Sequence, residues 1–509
     1  MNAYISNKKI MLKKILLITP PYHCGVLESA GTWMPLGMVY VAGSLQNAGY
    51  EVKIYDAMSK YHTFDDIRSQ INDYCPDAVG TAAYTSSLYD AISVLKIAKE
   101  VNPDTITFLG GIHPTFCWED ILRKDGKIVD YVIRGEAEIT TIELFDRIFK
   151  GEDPDVHGIA YSRDGKIICT KERPLVTDLD VLPTAWNLIE WKDYSFKTKK
   201  NSTLAVVSSS RGCTQRCTFC SQRLFWRQKW RARSPLNFVD ELEYLNRTYG
   251  VDVAMIADET PTYDRERWET ILDLLIERNL DLELLMETRV DDILRDKDIM
   301  HKYVKAGILH IYVGAESASQ ATLDRYKKNL KIEESKQAID LINNAGIVSE
   351  TSFVLGMPDE TPESIDAALK LAQYYNPDLA FFLAIAPWPY SDIYKELAPF
   401  VEEFDYSKYN LIEPIVKPIN MTREELNKHL LRAFREFYMD KLSTIEEMSE
   451  FKKNYMIDVT RLLINDSYLS NQMKGEMPAK VKQLIEKYLG DIKGLKKNEG
   501  SKIEVLTAR

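Results

Sequence analysis

The sequence predicts an α/β protein with two successive series of alternating strands and helices, followed by a helical tail. Two observations carry this prediction. Short β-branched runs alternate with helical patterns from residue 14 to about residue 399, and the alternation then ends. The 509 residues, of which 45% are hydrophobic and 28% charged, are too many for one ordinary domain and too apolar for a disordered chain.

The first series is expected to form a parallel sheet covered by helices on both faces, in a domain of residues 1–150. Its predicted strands are residues 14–19, 51–56, 77–83, 105–109 and 131–134. Its predicted helices are residues 35–47, 64–74, 88–101 and 138–149. Ligands of such sheets bind beyond the carboxyl ends of the strands, so the loops there form the candidate binding site.

A hairpin and a connector are expected between the two series, in residues 151–200. The Arg163-Asp164-Gly165 turn lies between two short β patterns, and Pro174 and Pro183 follow it. These turn-forming and extended residues interrupt the β-α alternation and place a domain boundary near Asn201.

The second series, in residues 201–400, is expected to form a partial (β/α)6 barrel. Its predicted strands are residues 204–208, 253–257, 282–286, 311–314, 351–355 and 379–386. In such barrels the chemistry lies on the loops that follow the strands. Residues 401–509 are expected to be helical, with a capping-box signature at Thr422-Arg423-Glu424-Glu425 before a helix at residues 426–438.

Charge and composition exclude several classes of partner. The net charge of −11 disfavours general binding to nucleic acid, because it repels a phosphate backbone. The apolar runs are shorter than the roughly 20 residues that span a bilayer, and the N-terminus lacks a signal-peptide pattern. We therefore expect a soluble cytoplasmic protein without a membrane partner.

Three of the seven cysteines, Cys213, Cys217 and Cys220, lie within eight residues directly after the first strand of the second series. Three thiolates can hold three irons of a [4Fe-4S] cluster and leave the fourth iron open to a substrate. A zinc site is the alternative, but structural zinc normally takes a fourth nearby ligand. No His or Cys follows Cys220 within the next eighty residues, so the sequence favours the iron–sulfur cluster.

The CxxxCxxC spacing resembles the radical S-adenosylmethionine (SAM) superfamily, and motifs at later strand ends extend the resemblance. In that superfamily the open iron binds SAM, and an electron from the cluster releases a 5′-deoxyadenosyl radical. The resemblance implies SAM or cofactor contacts from the aromatic residue between the thiols and from the R-x-D, G-x-E-S and L-G-x-P-x-E-T motifs. The residues concerned are Phe219, Arg289, Glu316, Ser317, Gly356 and Pro358.

Two further stretches have both a structural and a functional interpretation. Asp258 and Glu259 end a strand and correspond to an acidic pair in relatives, and a paired carboxylate can equally be structural. The arginines of the segment from Trp230 to Pro235 can face cofactor carboxylates or phosphates, or lie on a solvated helix face.

A flavodoxin-like (Rossmann-like) unit before a radical SAM barrel resembles the cobalamin-dependent (class B) radical SAM methyltransferases. Gly110 and Gly111 end a strand and let a bulky corrin approach the backbone. The resemblance therefore implies a cobalamin-binding Rossmann-like domain, a radical SAM barrel and a helical C-terminal region. It also implies cobalamin contacts from residues on four loops, namely Pro35, Leu36, Thr85, Ser86, Gly110, Gly111, His113, Pro114, Gly135 and Glu136.

The first loop departs from the pattern of corrinoid proteins that bind cobalt through a histidine. Those proteins carry D-x-H-x-x-G, whereas this chain has Pro20-Pro21-Tyr22-His23-Cys24-Gly25 and lacks the aspartate that orients the imidazole. We expect a cobalt without a protein histidine ligand. His23 stays open as an alternative ligand, and His113 is expected to support its loop.

Together the resemblances imply a methyltransferase that acts on an unactivated carbon. The SAM-derived radical would abstract hydrogen, and methylcobalamin recharged by a second SAM would supply the methyl group. The substrate is expected to be a peptide, a protein or a small molecule, and the electron donor a ferredoxin or flavodoxin. The chain is also similar to the enzymes that methylate a glutamine carbon in methyl-coenzyme M reductase.

Two other functions remain open from the sequence. One is a cyclase similar to the anaerobic magnesium-protoporphyrin ester cyclase. The other is a tRNA methylthiotransferase, in which Cys24, Cys75 and Cys117 would hold a second cluster. Tyr390 replaces the glycine of the P-x-P-G-T pattern of relatives, and its bulk is expected to reshape one edge of the substrate cavity.

Overall fold

The computed structural model describes residues 12–23, 30–466, 483–484 and 487–488. Cys24 and Gly25 of the first loop therefore lie outside the described residues. Within the described range, two sheets are joined by an extended connector, and helices follow the second sheet.

The first sheet has seven strands in the order β2-β1-β3-β4-β5-β6-β7. The strands β1 to β5 are parallel, which confirms the predicted β-α alternation, and β6 and β7 are antiparallel. The strands are β1 (Lys14–Thr19), β2 (Glu51–Asp56), β3 (Ala78–Ala82), β4 (Ile106–Gly110), β5 (Tyr131–Ile133), β6 (Ile159–Arg163) and β7 (Lys166–Cys169). Near-continuous burial of β1 and β3 is typical of strands covered on both faces.

The predicted hairpin is present, but it extends the first sheet and is not part of the connector alone. Strand β6 pairs with β5, because Ile159 and Ala160 bury apolar side chains beside the parallel strands. Asp164 and Gly165 both have positive φ angles, as a two-residue hairpin turn requires.

Among the described residues, five helices of the first unit have complete bounds, and the sequence predicted four of them. They are α1 (Leu36–Asn47), α2 (Phe64–Tyr74), α3 (Leu88–Val101), α4 (Ile112–Asp125) and α5 (Glu138–Ile148). Helix α4 was not predicted, since His113 and Pro114 lie in its first turn and resemble a loop signal. Proline is tolerated there because the first-turn amides have no helical acceptor.

The second sheet has six parallel strands in the order β15-β14-β13-β12-β11-β8, as predicted for a partial barrel. The strands are β8 (Leu204–Val207), β11 (Val253–Ile256), β12 (Glu283–Thr288), β13 (Ile308–Glu316), β14 (Val348–Leu355) and β15 (Leu379–Ala384). The helices between them are α7 (Pro235–Tyr249), α8 (Arg265–Arg278), α9 (Val290–Arg295), α10 (Met300–Lys305), α11 (Gln320–Arg325), α12 (Ile332–Asn344) and α13 (Pro362–Tyr375).

A small two-stranded ribbon follows β8 and encloses the loop that carries the three cysteines. The ribbon consists of β9 (Ser210–Arg211) and β10 (Arg231–Ala232), which are antiparallel. Between them lie residues 212–230, here named the cluster loop, which contain the short helix α6 (Gln222–Phe225). The ribbon brings both ends of this loop to one place.

The tail contains α14 (Tyr394–Leu397), α15 (Arg423–Ser443) and α16 (Glu450–Asp466). The predicted capping box is confirmed, since the Thr422 side chain accepts from the Glu425 amide and the Glu425 carboxylate accepts from the Thr422 amide. One hydrophobic core runs from Ile15 through the connector residues Trp186 and Phe196 to Leu463. No helix among the described residues is long and apolar enough to cross a bilayer.

Candidate cofactor site between the two sheets

The cluster loop is held in place by backbone hydrogen bonds to two distant segments. The Thr218 amide donates to the Tyr326 carbonyl at 2.9 Å, and the Ile393 amide donates to the Thr218 carbonyl at 3.1 Å. Gly212, with φ +101°, begins the loop, and a Cβ on it would lie 2.0 Å from the Lys229 carbonyl oxygen. These contacts fix the backbone that carries Cys213, Cys217 and Cys220.

The acidic pair that follows β11 supports this loop. Buried Asp258 accepts from the Ser209 amide at 2.9 Å and from the Ser210 hydroxyl at 2.9 Å. Glu259 accepts from the Gly212 amide at 2.9 Å and from the Trp226 indole at 2.6 Å. The structure therefore supports the structural interpretation of the pair.

The three thiols are free and partly or fully buried. Burial raises the pKa of all three, that of Cys220 to about 12, while Lys328 and Arg289 act to lower that of Cys217. The described residues contain no group of three His, Cys, Asp or Glu side chains close enough to hold a single metal ion. In a cubane cluster each thiolate binds a different iron, so three thiols on one cation-lined loop fit that group.

Two cations face the cluster loop, Arg289 directly after β12 and Lys328 in the turn after α11. The Arg289 guanidinium lies 2.8 Å from the Asp291 carboxylate. Burial acts to lower the pKa of Arg289, but Asp291 and the thiols of Cys217 and Cys213 raise it overall. Lys328 donates to Glu316 at 2.6 Å, and Glu316 with Cys217 raises the pKa of Lys328 against the effect of burial. Arg289 was predicted, whereas no sequence signal identified Lys328.

Glu316 lies at a register shift in β13, next to Gly314. Its φ is +64°, and its buried carboxylate is turned toward Lys328. Such bulges are frequent beside active sites, where they reorient one side chain. Ser317 is buried beside it, and its hydroxyl accepts from the Ser319 amide at 3.1 Å.

An unpaired phenol lies beside the aromatic residue of the cysteine motif. The rings of Phe219 and Tyr326 meet edge to face with centroids 4.9 Å apart. Tyr326 is fully buried, and its hydroxyl has no hydrogen-bond partner among the described residues. Buried hydroxyls are normally paired, so this one fits a polar group of a bound ligand such as SAM.

Gly356 and Pro358 form the loop after β14. Gly356 has φ +96°, and its amide donates to Glu360 at 2.9 Å, while the Pro358 carbonyl accepts from Ile419 at 2.8 Å. Thr361 caps α13 by accepting from the Ser364 amide. Both predicted residues thus lie at the carboxyl end of the second sheet, and their SAM contacts stay predictions.

Glu287 is a site residue that the sequence analysis did not single out as a candidate. It lies on β12 beside Tyr312 of β13, near the carboxyl end of the strand. Burial, then Glu259 and Asp258, raise the pKa of this carboxyl to about 8. It is therefore largely protonated at pH 7 and able to donate a hydrogen bond.

The predicted cobalamin residues lie at the carboxyl end of the first sheet, on its loops and in the first turns of α1 and α4. These loops follow β1, β3, β4 and β5, and β1, β3, β4 and β5 are neighbours in the sheet. The residues are Pro35, Leu36, Thr85, Ser86, Gly110, Gly111, His113, Pro114, Gly135 and Glu136. Gly111 has φ +100° and Gly135 has φ +80°, which are backbone conformations that favour glycine.

His113 is buried and bonded to a neighbouring loop. Its Nδ1 lies 3.0 Å from the Thr85 hydroxyl, which in turn lies 3.3 Å from the Tyr390 hydroxyl of the second domain. Burial, with a smaller effect of Lys124, lowers the pKa of His113 to about 4, so its ring is neutral at pH 7. These contacts agree with a supporting role. His23 is exposed and stacks on Tyr61 with ring centroids 4.6 Å apart.

Two of the expected cofactor-facing residues have protein partners. Glu136 accepts from Arg211 at 2.8 Å and from Arg231 at 2.9 Å, across the boundary between the domains. Arg233 pairs with Glu241 inside the barrel. The cofactor contact of Glu136 stays a prediction, and Arg233 is turned toward a protein carboxylate.

The carboxyl ends of the two sheets border one space. Tyr84, after β3, is 70% exposed. Tyr390 stacks on Phe116 of the first domain with centroids 4.8 Å apart, and burial raises its pKa, with smaller effects of Cys117, Tyr84 and Cys220. The rings of His113 and Tyr406 also meet edge to face with centroids 5.0 Å apart. Side chains of both domains thus meet where the carboxyl ends of the two sheets face each other.

Comparison with known proteins agrees with this arrangement. The B12 binding domain family matches residues 22–145, and the radical SAM superfamily matches residues 207–372. The anaerobic magnesium-protoporphyrin IX monomethyl ester cyclase of Rubrivivax gelatinosus is 40% identical over 84% of this chain and 78% of its own length. A protein of Pyrococcus horikoshii described as an uncharacterized methyltransferase is 32% identical over 86% of this chain and 95% of its own length.

The chain belongs to the cobalamin-dependent radical SAM methyltransferase family. The family also contains the cyclase named above. In fold, this cobalamin-dependent radical SAM enzyme resembles OxsB, solved with aqua-cobalamin and SAM bound. The TM-score is 0.69 at 16% identity, over 94% of this chain and 75% of OxsB. The expected fold class and the expected cofactors, a [4Fe-4S] cluster, SAM and cobalamin, are confirmed.

Proposed function

We propose that the protein methylates an unactivated carbon of its substrate, using both cofactors over the cavity between its two sheets. The observation that carries this proposal is that the carboxyl ends of the two sheets meet, since Tyr390 stacks on Phe116 with centroids 4.8 Å apart and its hydroxyl lies 3.3 Å from that of Thr85. A radical is short-lived, so the hydrogen acceptor and the methyl donor must reach the same carbon.

The cofactors supply the reactive groups and the chain supplies their placement. When bound, the cluster and SAM supply a radical that removes a hydrogen atom from the carbon, and the corrinoid, recharged by a second SAM, supplies the methyl group. Cys213, Cys217 and Cys220 would hold the cluster, and Lys328 with Arg289 would balance its negative charge. Glu316 is already bonded to Lys328, so it is fixed in position beside the cluster loop.

The experiment is anaerobic reconstitution with iron, sulfide and hydroxocobalamin, followed by incubation with methyl-labelled SAM and a panel of substrates. The panel contains glutamine-containing peptides, small molecules and magnesium-protoporphyrin monomethyl ester. Reduced ferredoxin or flavodoxin supplies electrons. The proposal predicts 5′-deoxyadenosine, S-adenosylhomocysteine and a product with a labelled carbon-bound methyl group.

Ring formation is the second candidate function, and it is favoured by the 40% identity with the magnesium-protoporphyrin IX monomethyl ester cyclase of Rubrivivax gelatinosus. In the same experiment a cyclase would form 5′-deoxyadenosine and a product that lacks the labelled methyl group. That outcome would replace the methylation proposal. The glutamine of methyl-coenzyme M reductase stays a hypothesis, because neither relative described above is named for that reaction.

A second cluster in the first domain is disfavoured by the positions of two cysteines. Cys75 ends α2 before β3, at the amino end of the parallel strands, whereas Cys117 lies in α4 after β4, at their carboxyl end. The five residues of a strand such as β3 span roughly 17 Å. Two cysteines at opposite ends of the sheet cannot share one cluster, so a methylthiotransferase with this ligand set is not proposed.

A further inference from the structure

Four buried charged side chains join the two domains beside both cofactor loops. They are Glu136, Glu138, Arg211 and Arg231, here named the interdomain ion network. Arg211 lies 2.8 Å from Glu136 and 2.7 Å from Glu138, and Arg231 lies 2.9 Å from Glu136. The four side chains are 3% to 10% exposed.

The network lies within or directly beside each predicted cofactor loop, since the resemblance assigns Glu136 itself to the cobalamin site. Glu136 follows Gly135, which the resemblance assigns to the cobalamin site, and Arg211 precedes Cys213 by two positions. Arg211 and Arg231 are paired on the ribbon that begins and ends the cluster loop. A displacement of the network therefore moves both loops.

The connector and the first helix join the same contacts. The Val176 amide donates to Glu136 at 2.8 Å, and Arg231 donates to the Val176 carbonyl. The Arg211 guanidinium lies 4.7 Å from the ring centroid of Tyr40 in α1. The first domain, the connector and the ribbon of the second domain thus contact one another at one buried point.

Stability alone does not explain a network of this kind. Burying charges costs several kcal/mol for each ion before pairing, and apolar side chains of similar volume are often equally stabilising. Burial acts to lower the pKa of Arg211, but Glu138 and Glu136 raise it. Arg231 has no hydrogen-bond partner for Nε or Nη2 within the described residues, although both atoms are buried. The network is costly but directional, so it specifies one relative position of the two loops.

We propose that Arg211, Arg231 and Glu136 are positioning residues that hold the corrinoid loop at a fixed place relative to the cluster loop. This inference rests on the proposed function. Radical formation needs only the cluster and SAM. Methylation also needs the corrinoid at the correct position relative to the cluster loop. Loss of the network should therefore leave radical formation intact and uncouple it from methylation.

The test compares two double variants that change the same residue types. The test variant combines Glu136→Gln with Arg231→Met and weakens the contact between the domains. The control variant combines Glu243→Gln with Arg278→Met and removes an ion pair between α7 and α8 of the barrel, whose side chains are 16% and 26% exposed. Each double variant removes one charge of each sign, so neither leaves an uncompensated buried ion.

The first measurement is the ratio of 5′-deoxyadenosine to methylated product. We expect the ratio to rise about tenfold or more in the test variant, since misplacement by 1 Å can cost about 100-fold. It should stay within about twofold of wild type in the control, where the loops keep their register. Arg231→Lys keeps the charge but loses the planar fork, so it should give an intermediate ratio. It also keeps the proposal testable if the double variant does not fold.

The second measurement does not depend on turnover. Spin coupling between the reduced cluster and cob(II)alamin in the electron paramagnetic resonance spectrum reports their separation. Hydrogen exchange of cofactor-free protein reports the mobility of residues 133–138 and 208–213. We expect altered coupling and faster exchange in the test variant only. Wild-type ratio, coupling and exchange in the test variant would overturn the proposal. Altered coupling in an enzyme that never methylates would support it while refuting the proposed function.

Discussion

Cys213, Cys217 and Cys220 are the residues on which we expect radical formation to depend. Cys217→Ala would remove one of three proposed cluster ligands, so iron content should fall and 5′-deoxyadenosine formation should drop about 100-fold or more. Cys169→Ala, which changes an exposed thiol on β7, is the control and should retain both. Retained 5′-deoxyadenosine formation in Cys217→Ala would contradict the ligand assignment. Chromatography of the nucleoside products gives the result.

Glu287 provides a pH-dependent prediction at the same scale. Its pKa is about 8 in the fold and near 4.5 for an ordinary glutamate, so the unfolded chain loses its proton first as pH rises. Stability linked to this group is complete below about pH 4.5 and declines until about pH 8. Glu287→Gln cannot ionise and should gain on the order of 2 kcal/mol relative to wild type between pH 5 and pH 9.

Denaturant unfolding of cofactor-free protein at three pH values measures this difference. Glu277→Gln, on the exposed face of α8, is the matched control for the loss of a carboxylate. A pH-independent difference for Glu287→Gln would show that the carboxyl is ionised throughout this range.

Individual residues of the candidate site were predictable where they belong to a recognisable sequence motif. The three cysteines, Arg289, Glu316 and His113 stand in recognisable patterns, and the structure places them at the carboxyl ends of the two sheets. Lys328 and Glu287 were not singled out, because their roles depend on charges brought close by strand pairing and by the turn after α11. Such contacts cannot be predicted from the spacing of residues in the sequence.

Among the elements, the parallel strands were predictable from their buried β-branched runs. Predicted and observed bounds of β1, β2, α2 and α3 agree, since periodic apolar patterns and turn residues mark them. The ribbon of β9 and β10 was missed, because two paired residues on each side leave no periodic pattern. Helix α4 was missed because Pro114 occupies its first turn.

The turn at Gly212 provides a prediction about the ribbon and its loop. Gly212→Ala combines φ +101° with a Cβ 2.0 Å from a backbone oxygen, so the loop must move. Gly250→Ala has φ +69° but open space around the new Cβ, and its cost should be about 1 kcal/mol. We expect Gly212→Ala to lose most of its iron, and Gly250→Ala to retain it. The iron content of both variants is measured after anaerobic reconstitution. Full iron content in Gly212→Ala would show that the conformation of this turn is not needed to hold the cluster.

At the scale of the whole molecule, Tyr390 connects the two domains at the cavity. Tyr390→Gly removes the stack on Phe116 and should lower the free energy of unfolding by about 3 kcal/mol. Tyr390→Phe keeps the ring and loses only the contact with Thr85, at a cost of about 1 kcal/mol or less. If Tyr390 shapes the substrate cavity, the glycine variant should also change kcat/KM for methylation. Unchanged kinetics would remove that role.

The relative position of the two domains could not be predicted from the sequence. Chain length and the two β-α series predict two α/β domains and a helical tail, but the contacts that orient the domains come from residues far apart in the chain, such as Glu136 with Arg211 and Thr85 with Tyr390. The shared core and these polar contacts hold the carboxyl ends of the two sheets against each other. The substrate site depends on this arrangement and was likewise not predictable in detail.

The central claim is that one chain carries both an iron–sulfur cluster and a corrinoid, which face each other between the two sheets. The most direct test of this claim is the metal content of the protein. Protein reconstituted anaerobically with iron, sulfide and hydroxocobalamin is freed of unbound metal and analysed by mass spectrometry. We expect about four irons and about one cobalt for each chain. Zinc in place of iron, or cobalt far below one equivalent, would contradict it.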